Sequence, residues 1–164
     1  MDELLGEGGP GLWWAHMGPS EFDELRYELR SLHPQACVAM LRGWKCQEPA
    51  GFFSELGAAL QFPYYFEETW EATARMLGDL SWSQAPHHLL MVNSAEHLLA
   101  EASFAEVRSL VEVLTTACAQ GRVKAVCAYW APGGGDGLDR LVAAGARLAP
   151  LPAAKGLASH VPAE

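Results

Sequence analysis

Apolar residues fall along this chain in two rhythms. Short, nearly unbroken runs occur at 36–42 (ACVAMLR), 88–92 (HLLMV) and 123–129 (VKAVCAY), and runs of that kind suit strands covered on both faces. Elsewhere the apolar positions recur every three or four residues, the period of a helix with one buried side. Phe52, Phe53, Leu56, Ala59 and Leu60 make one such face behind Pro49, which suits a first helical turn. Trp70, Thr73, Ala74 and Leu77 make a second, with Thr69 placed to cap it. Phe104, Val107, Leu110, Val111, Leu114 and Cys118 make a third over 103–120, where Ser103 and Glu106 have capping-box spacing and Gly121 ends the run. Ahead of these, 12–17 (LWWAHM) reads as a strand. Residues 20–32 read as a helix with Ser20 as cap, Asp23 three residues on, and Phe22, Leu25, Leu29 and Leu32 on one side. Behind them, 131–137 (APGGGDG) reads as a flexible loop, followed by a short helix from Leu138 and a strand near 146–151. The tail after it reads as loosely attached.

Strands alternating with helices predict an α/β fold: a parallel sheet with three core strands packed on helices, and one extra strand offered at each end. The 164 residues favour one domain over 1–164, divided into an N-terminal β–α extension (1–35), a core (36–130) and a Gly/Pro-rich loop with a C-terminal extension (131–164). The N-terminal unit is expected to dock, because Trp13, Trp14, Phe22, Leu25 and Leu29 would otherwise leave a large apolar patch in water.

Charge narrows the classes of partner. Twenty acids against 11 bases give a net charge of −9. Asp2, Glu3, Glu7, Glu21, Asp23, Glu24 and Glu28 crowd the first 35 residues against Arg26 and Arg30 alone. Such a surface repels nucleic acid and attracts basic proteins. No apolar run approaches the roughly 18 residues of a membrane span, and the acidic start argues against a secretory leader, so a cytoplasmic location is expected. Cys37, Cys46, Cys118 and Cys127 form no C-x-x-C pair and read as reduced thiols.

Catalytic patterns are sparse. The PGGGDG stretch lacks the lysine of a phosphate loop, and Leu138 stands where the third glycine of a dinucleotide motif belongs. His87 and His88 are adjacent, so on an extended chain they face opposite ways, and they read as loop histidines. His16, His33, His97 and His160 are scattered. Cys118 falls on the inner face of its helix. No catalytic residue, metal ligand or cofactor is implied, and the chain does not read as an enzyme.

One stretch does point to recognition. Residues 61–82 (QFPYYFEETWEATARMLGDLSW) set Tyr64, Tyr65 and Phe66 beside Glu67, Glu68 and Glu71, with Arg75 and Asp79 at successive helical turns. Leu60, Phe62, Pro63, Tyr65 and Phe66, followed by Trp70, Glu71, Ala72, Leu77, Asp79 and Leu80, resemble the barstar family of small bacterial inhibitors of secreted ribonucleases. That family runs from an L-x-F-P-x-Y-Y/F-G turn into N-x-D-A-L-x-D-x-L, and the order of elements over 36–130 is similar. The resemblance implies a barstar-like parallel sheet. It also implies a binding face made of the aromatic turn and the next helix, whose carboxylates stand in for substrate phosphates. By that likeness the partner-binding residues are Tyr64, Tyr65, Phe66, Glu67, Glu68, Glu71, Arg75 and Asp79, and the partner is a basic toxin enzyme, a nuclease. Two departures matter. Glu67 replaces the turn glycine, and Arg75 replaces the second helix aspartate, reversing the charge at the centre of the face. Thr69 for asparagine keeps the cap, Glu71 for aspartate keeps the charge, and Thr116 stands where the family offers an acid. Arg75 is expected to pair with Glu71 one turn away. The leading reading is an inhibitor or immunity protein, and the other is a binding or scaffold module on the same fold.

Overall fold

A computed structural model of the chain describes Leu4 and residues 9–152. Asp2, Glu3, Glu7, His160 and most of the expected tail lie outside the described residues. The elements run β1 (Leu12–His16), α1 (Pro19–Leu32), β2 (Cys37–Arg42), α2 (Pro49–Ala59), α3 (Trp70–Asp79), β3 (His88–Asn93), α4 (Phe104–Ala119), β4 (Val123–Tyr129), α5 (Gly135–Ala143) and β5 (Leu148–Pro150), with short 3-10 turns at Gly43–Lys45, Ala95–His97 and Pro132–Gly134.

The five strands form one sheet in the order β2-β3-β4-β1-β5, and every neighbouring pair is parallel. β3 and β4 are buried along their whole length, as their unbroken apolar sequence requires. The two flanking segments do add strands, but both join on the β4 side: β1 lies between β4 and β5. β5 is the natural edge, because it is short and carries Pro150, whose missing N–H costs no ladder bond there.

The path from β1 to β2 crosses the sheet in the opposite direction from the steps β2 to β3, β3 to β4 and β4 to β5. Right-handed crossovers then place α1 on one face and the other helices on the opposite one. The side chains bear this out through the period of two along each strand. Val126 and Ala128 join Trp13, Leu89 and Met91 against Phe22, Leu25 and Leu29 of α1. Val123, Ala125, Cys127 and Tyr129 point the other way, into a larger core with Phe52, Leu56, Leu77, Leu110, Leu114 and Leu141. All four cysteines are free thiols. Burial raises the thiol pKa of Cys46 and Cys127 to about 12 and that of Cys118 to about 11.

Several local expectations are corrected. The cap of α1 is Gly18, with Pro19 as first residue, and Glu21 accepts the Gly18 N–H at 3.3 Å. Ser20 and Asp23 therefore lie inside the helix. The glycine-rich stretch is not a loose loop. Gly133, Gly134 and Gly135 take φ of 68°, 80° and 53°, a turn that side chains resist, and α5 starts there instead of at Leu138. Phe104 is 52% exposed because it sits one turn ahead of the stripe that α4 buries. The buried stripe of α3 is Ala72, Thr73, Met76 and Leu77, leaving Ala74 outside.

Candidate functional site

The chain leaves α2 through a sharp reversal. Gln61 has φ of 53°, and Phe62 N–H closes onto the carbonyl of Gly57 at 2.8 Å. Pro63 then starts a turn whose closing bond runs from Phe66 N–H to the Pro63 carbonyl at 2.9 Å. Tyr64 and Tyr65 occupy the two corners of that turn, so their side chains point to solvent: Tyr64 is 100% and Tyr65 59% exposed. The flanking aromatics turn inward. Phe62 and Phe66 meet edge to face at 4.8 Å, Phe66 reaches Phe53 at 6.5 Å, and Phe62 meets Trp82 at 5.7 Å.

Trp70 braces the next helix. Its ring lies 5.6 Å from Phe52 and 4.8 Å from Phe53, and its Nε1–H donates to Glu106 at 2.6 Å. The Ser103-to-Glu106 spacing predicts a capping box closed by Glu106. Ser103 does accept the Glu106 N–H, at 3.4 Å, but the carboxylate goes to the indole and so links the first turns of α3 and α4. Thr69 caps α3 as predicted, accepting Ala72 N–H at 3.1 Å. At the far end Leu80 closes α3 in the left-handed region, and Arg122 donates to the carbonyls of Asp79 at 3.0 Å and Ala85 at 3.4 Å. His88 is part of this anchor and not a loop residue. It is buried at the start of β3, with Nε2 2.7 Å from Ser83 Oγ. Burial, helped by the Arg122 charge, holds its pKa below the ordinary histidine value.

On that braced base stand the predicted residues. Tyr64, Tyr65, Glu67, Glu68, Glu71, Arg75 and Asp79 are all exposed, while Phe66 is half-buried under the turn. Tyr65, Glu67, Arg75 and Asp79 line a cavity of about 300 Å³ whose apolar wall is Ala72 and Met76. The expected Glu71–Arg75 ion pair is absent: among the described residues the ion pairs are Arg26–Asp23 and Arg42–Glu55. Both partners are exposed, and water competes well for an isolated pair of this kind. Sequence reasoning missed Glu106 as a support and Ala72 and Met76 as the wall. The wall was readable, since those two positions flank Glu71 and Arg75 at a spacing of four.

The sequence model of the family described as Barstar (barnase inhibitor) matches residues 37–130, more than half of the chain. The chain belongs to the barstar family. The family takes its description from an inhibitor that binds a protein partner, the ribonuclease barnase. The matched region opens at β2 and closes just after β4, so it contains the turn, α3 and their supports. No curated protein matches the sequence. Among solved structures, the crystal structure of Cdc6p from Pyrobaculum aerophilum is similar, with a TM-score of 0.55 at 15% identity. The alignment covers 91% of this chain and 42% of that one, so this chain spans less than half of that protein. At this identity the likeness is one of fold, and its coverage takes in segments beyond 37–130. Among the described residues, no group of three or more potential metal ligands occurs, and no helix is long and apolar enough to cross a membrane.

Proposed function

We propose that this barstar-family chain is a non-enzymatic inhibitor. It would be the immunity half of a toxin–antitoxin pair in the bacterial cytoplasm, sealing the active surface of a toxin enzyme that is a ribonuclease unlike barnase. The observation that carries this is the bare aromatic and carboxylate face on a braced base. Tyr64, Tyr65, Glu67, Glu68 and Glu71 are exposed, at the positions that the likeness to the family assigns to partner binding, and among the described residues no side-chain hydrogen bond or ion pair ties them to the rest of the fold. Exposed tyrosines beside charged groups are the kind of side chain that anchors protein interfaces.

Arg75 sets the target apart from barnase. A nuclease of that type clusters positive charge where substrate phosphates sit. An exposed guanidinium brought against it is a like charge, at a cost on the order of several kcal/mol. Inhibition of a barnase-type ribonuclease by the wild-type chain and by Arg75→Asp tests the reading. The wild type should inhibit weakly and the variant more tightly, at low and moderate salt alike. Tight inhibition by the wild type that the substitution leaves unchanged would mean the binding face lies elsewhere. Capture of partners from cell extract separates inhibitor from scaffold: a stoichiometric nuclease supports the first, a non-catalytic protein the second.

A further inference from the structure

The exposed side of α3 carries an ordered charge stripe. Glu71, Arg75 and Asp79 follow one another at intervals of four residues, so they lie along one side of the helix. At 1.5 Å per residue the stripe is about 12 Å long, with its charges about 6 Å apart. All three side chains are exposed, and neither possible ion pair within the stripe is formed. Arg75 and Asp79 also line the cavity walled by Ala72 and Met76, together with Tyr65 and Glu67. Arg75 thus shares a small concave site with the carboxylate-bearing Glu67 and Asp79, and forms an ion pair with neither.

From this geometry we propose that α3 reads an alternating array on its partner: a carboxylate seated on Arg75, flanked by cations that meet Glu71 and Asp79. The proposal rests on the reading of this face as the partner-binding surface and names the chemistry it selects. A continuous basic patch satisfies the two acids and leaves Arg75 against a like charge. An acidic patch satisfies only Arg75. A cation–carboxylate–cation row about 12 Å long satisfies all three. That is the charge inventory of a catalytic centre in which an acidic general base stands among phosphate-binding cations, so occluding the partner and gripping its carboxylate become one event. The fork of N–H donors on Arg75 suits it to hold a carboxylate at two points.

Two alanine-rich helical peptides of identical composition test this. One carries Lys, Glu and Lys at four-residue spacing, and the other carries Lys, Lys and Glu at the same positions, so net charge is constant. Each is titrated into the isotope-labelled chain at moderate salt, and dissociation constants are read from amide shifts over residues 64–79. The wild type should bind the Lys-Glu-Lys order roughly fivefold more tightly, and Arg75→Gln should narrow the preference from both sides, weakening the first peptide by the loss of its carboxylate contact and strengthening the second by removing the like charge opposite its central lysine. Equal binding of both peptides by the wild type would overturn the proposal yet leave an acid-reading face in place. If neither peptide shifts residues 64–79, the proposal falls together with the assignment of this face as the binding surface.

Discussion

The segment from Phe62 to Asp79 holds two sets of residues with similar chemistry and opposite fates. Phe62, Phe66 and Trp70 pack on Phe53 or on one another, whereas Tyr64 and Tyr65, between them in sequence, stand in solvent. Glu106 accepts an indole N–H at 2.6 Å from a neighbouring helix, whereas Glu67, Glu68 and Glu71 are exposed. Side-chain type does not sort these residues. The turn does, because the bond from Phe66 N–H to the Pro63 carbonyl fixes which positions become corners. Aromatics therefore pack inward or stand in solvent according to where the backbone reverses.

Substitutions on the two sides should separate cleanly. The largest loss of stability is expected at Trp70. Trp70→Ala should cost about 3 kcal/mol in a urea melt, because it opens space against Phe52 and Phe53 and leaves Glu106 without its donor. Trp70→Phe should cost only about 1 kcal/mol, isolating the hydrogen bond. If the alanine variant melts like wild type, the inward set is not what holds the face. Thr69→Ala comes next, at about 1 kcal/mol, by uncapping α3, and Thr69→Asn should restore most of it.

A smaller effect belongs to pH. His88 is held neutral by burial, so its folded pKa lies below the ordinary 6.5. The unfolded chain then binds the proton more readily, and stability is complete above pH 6.5 and declines as pH falls from there towards the lowered folded value. His88→Gln should flatten that slope; an unchanged slope would assign it to another group. Least of all should Tyr64→Ala matter for stability, within about 0.5 kcal/mol. Its effect should appear only in partner affinity, and a large shift in melting would show that the corner tyrosine packs after all.

The sheet and its helices were legible because unbroken apolar runs such as 123–129 suit little else, and α1's buried Phe22, Leu25 and Leu29 kept their period. The exposed turn was legible through the residues from Phe62 to Phe66. What was not legible depends on distant neighbours. The sequence near Leu12 says strand, but only the partner registers place it between β4 and β5. The three glycines at 133–135 say flexibility, yet consecutive positive φ angles make them the ordered entry to α5. His88 was misread because adjacent histidines say nothing about a serine hydroxyl five residues earlier. Arg75 and Glu71 have ideal spacing for a pair, and spacing alone does not overcome solvent.

β1 lies opposite residues that are made much later: Leu12 pairs with Ala125 and with Leu148. During synthesis, at about 5–20 residues per second, its neighbours emerge only after a delay on the order of ten seconds. β2, β3 and β4 are laid down side by side in the order in which they are made, so the family core can assemble while the first strand waits. Ring closure over so long a stretch is entropically slow, and the waiting tryptophans, Trp13 and Trp14, are meanwhile a sticky surface. Pulse-labelled refolding should therefore protect amides of β2 to β4 before those of β1, and simultaneous protection would argue that all five strands close in a single step. β5, which pairs with β1 alone, can join only once β1 is in place, so the first of these strands to be written is among the last to be seated.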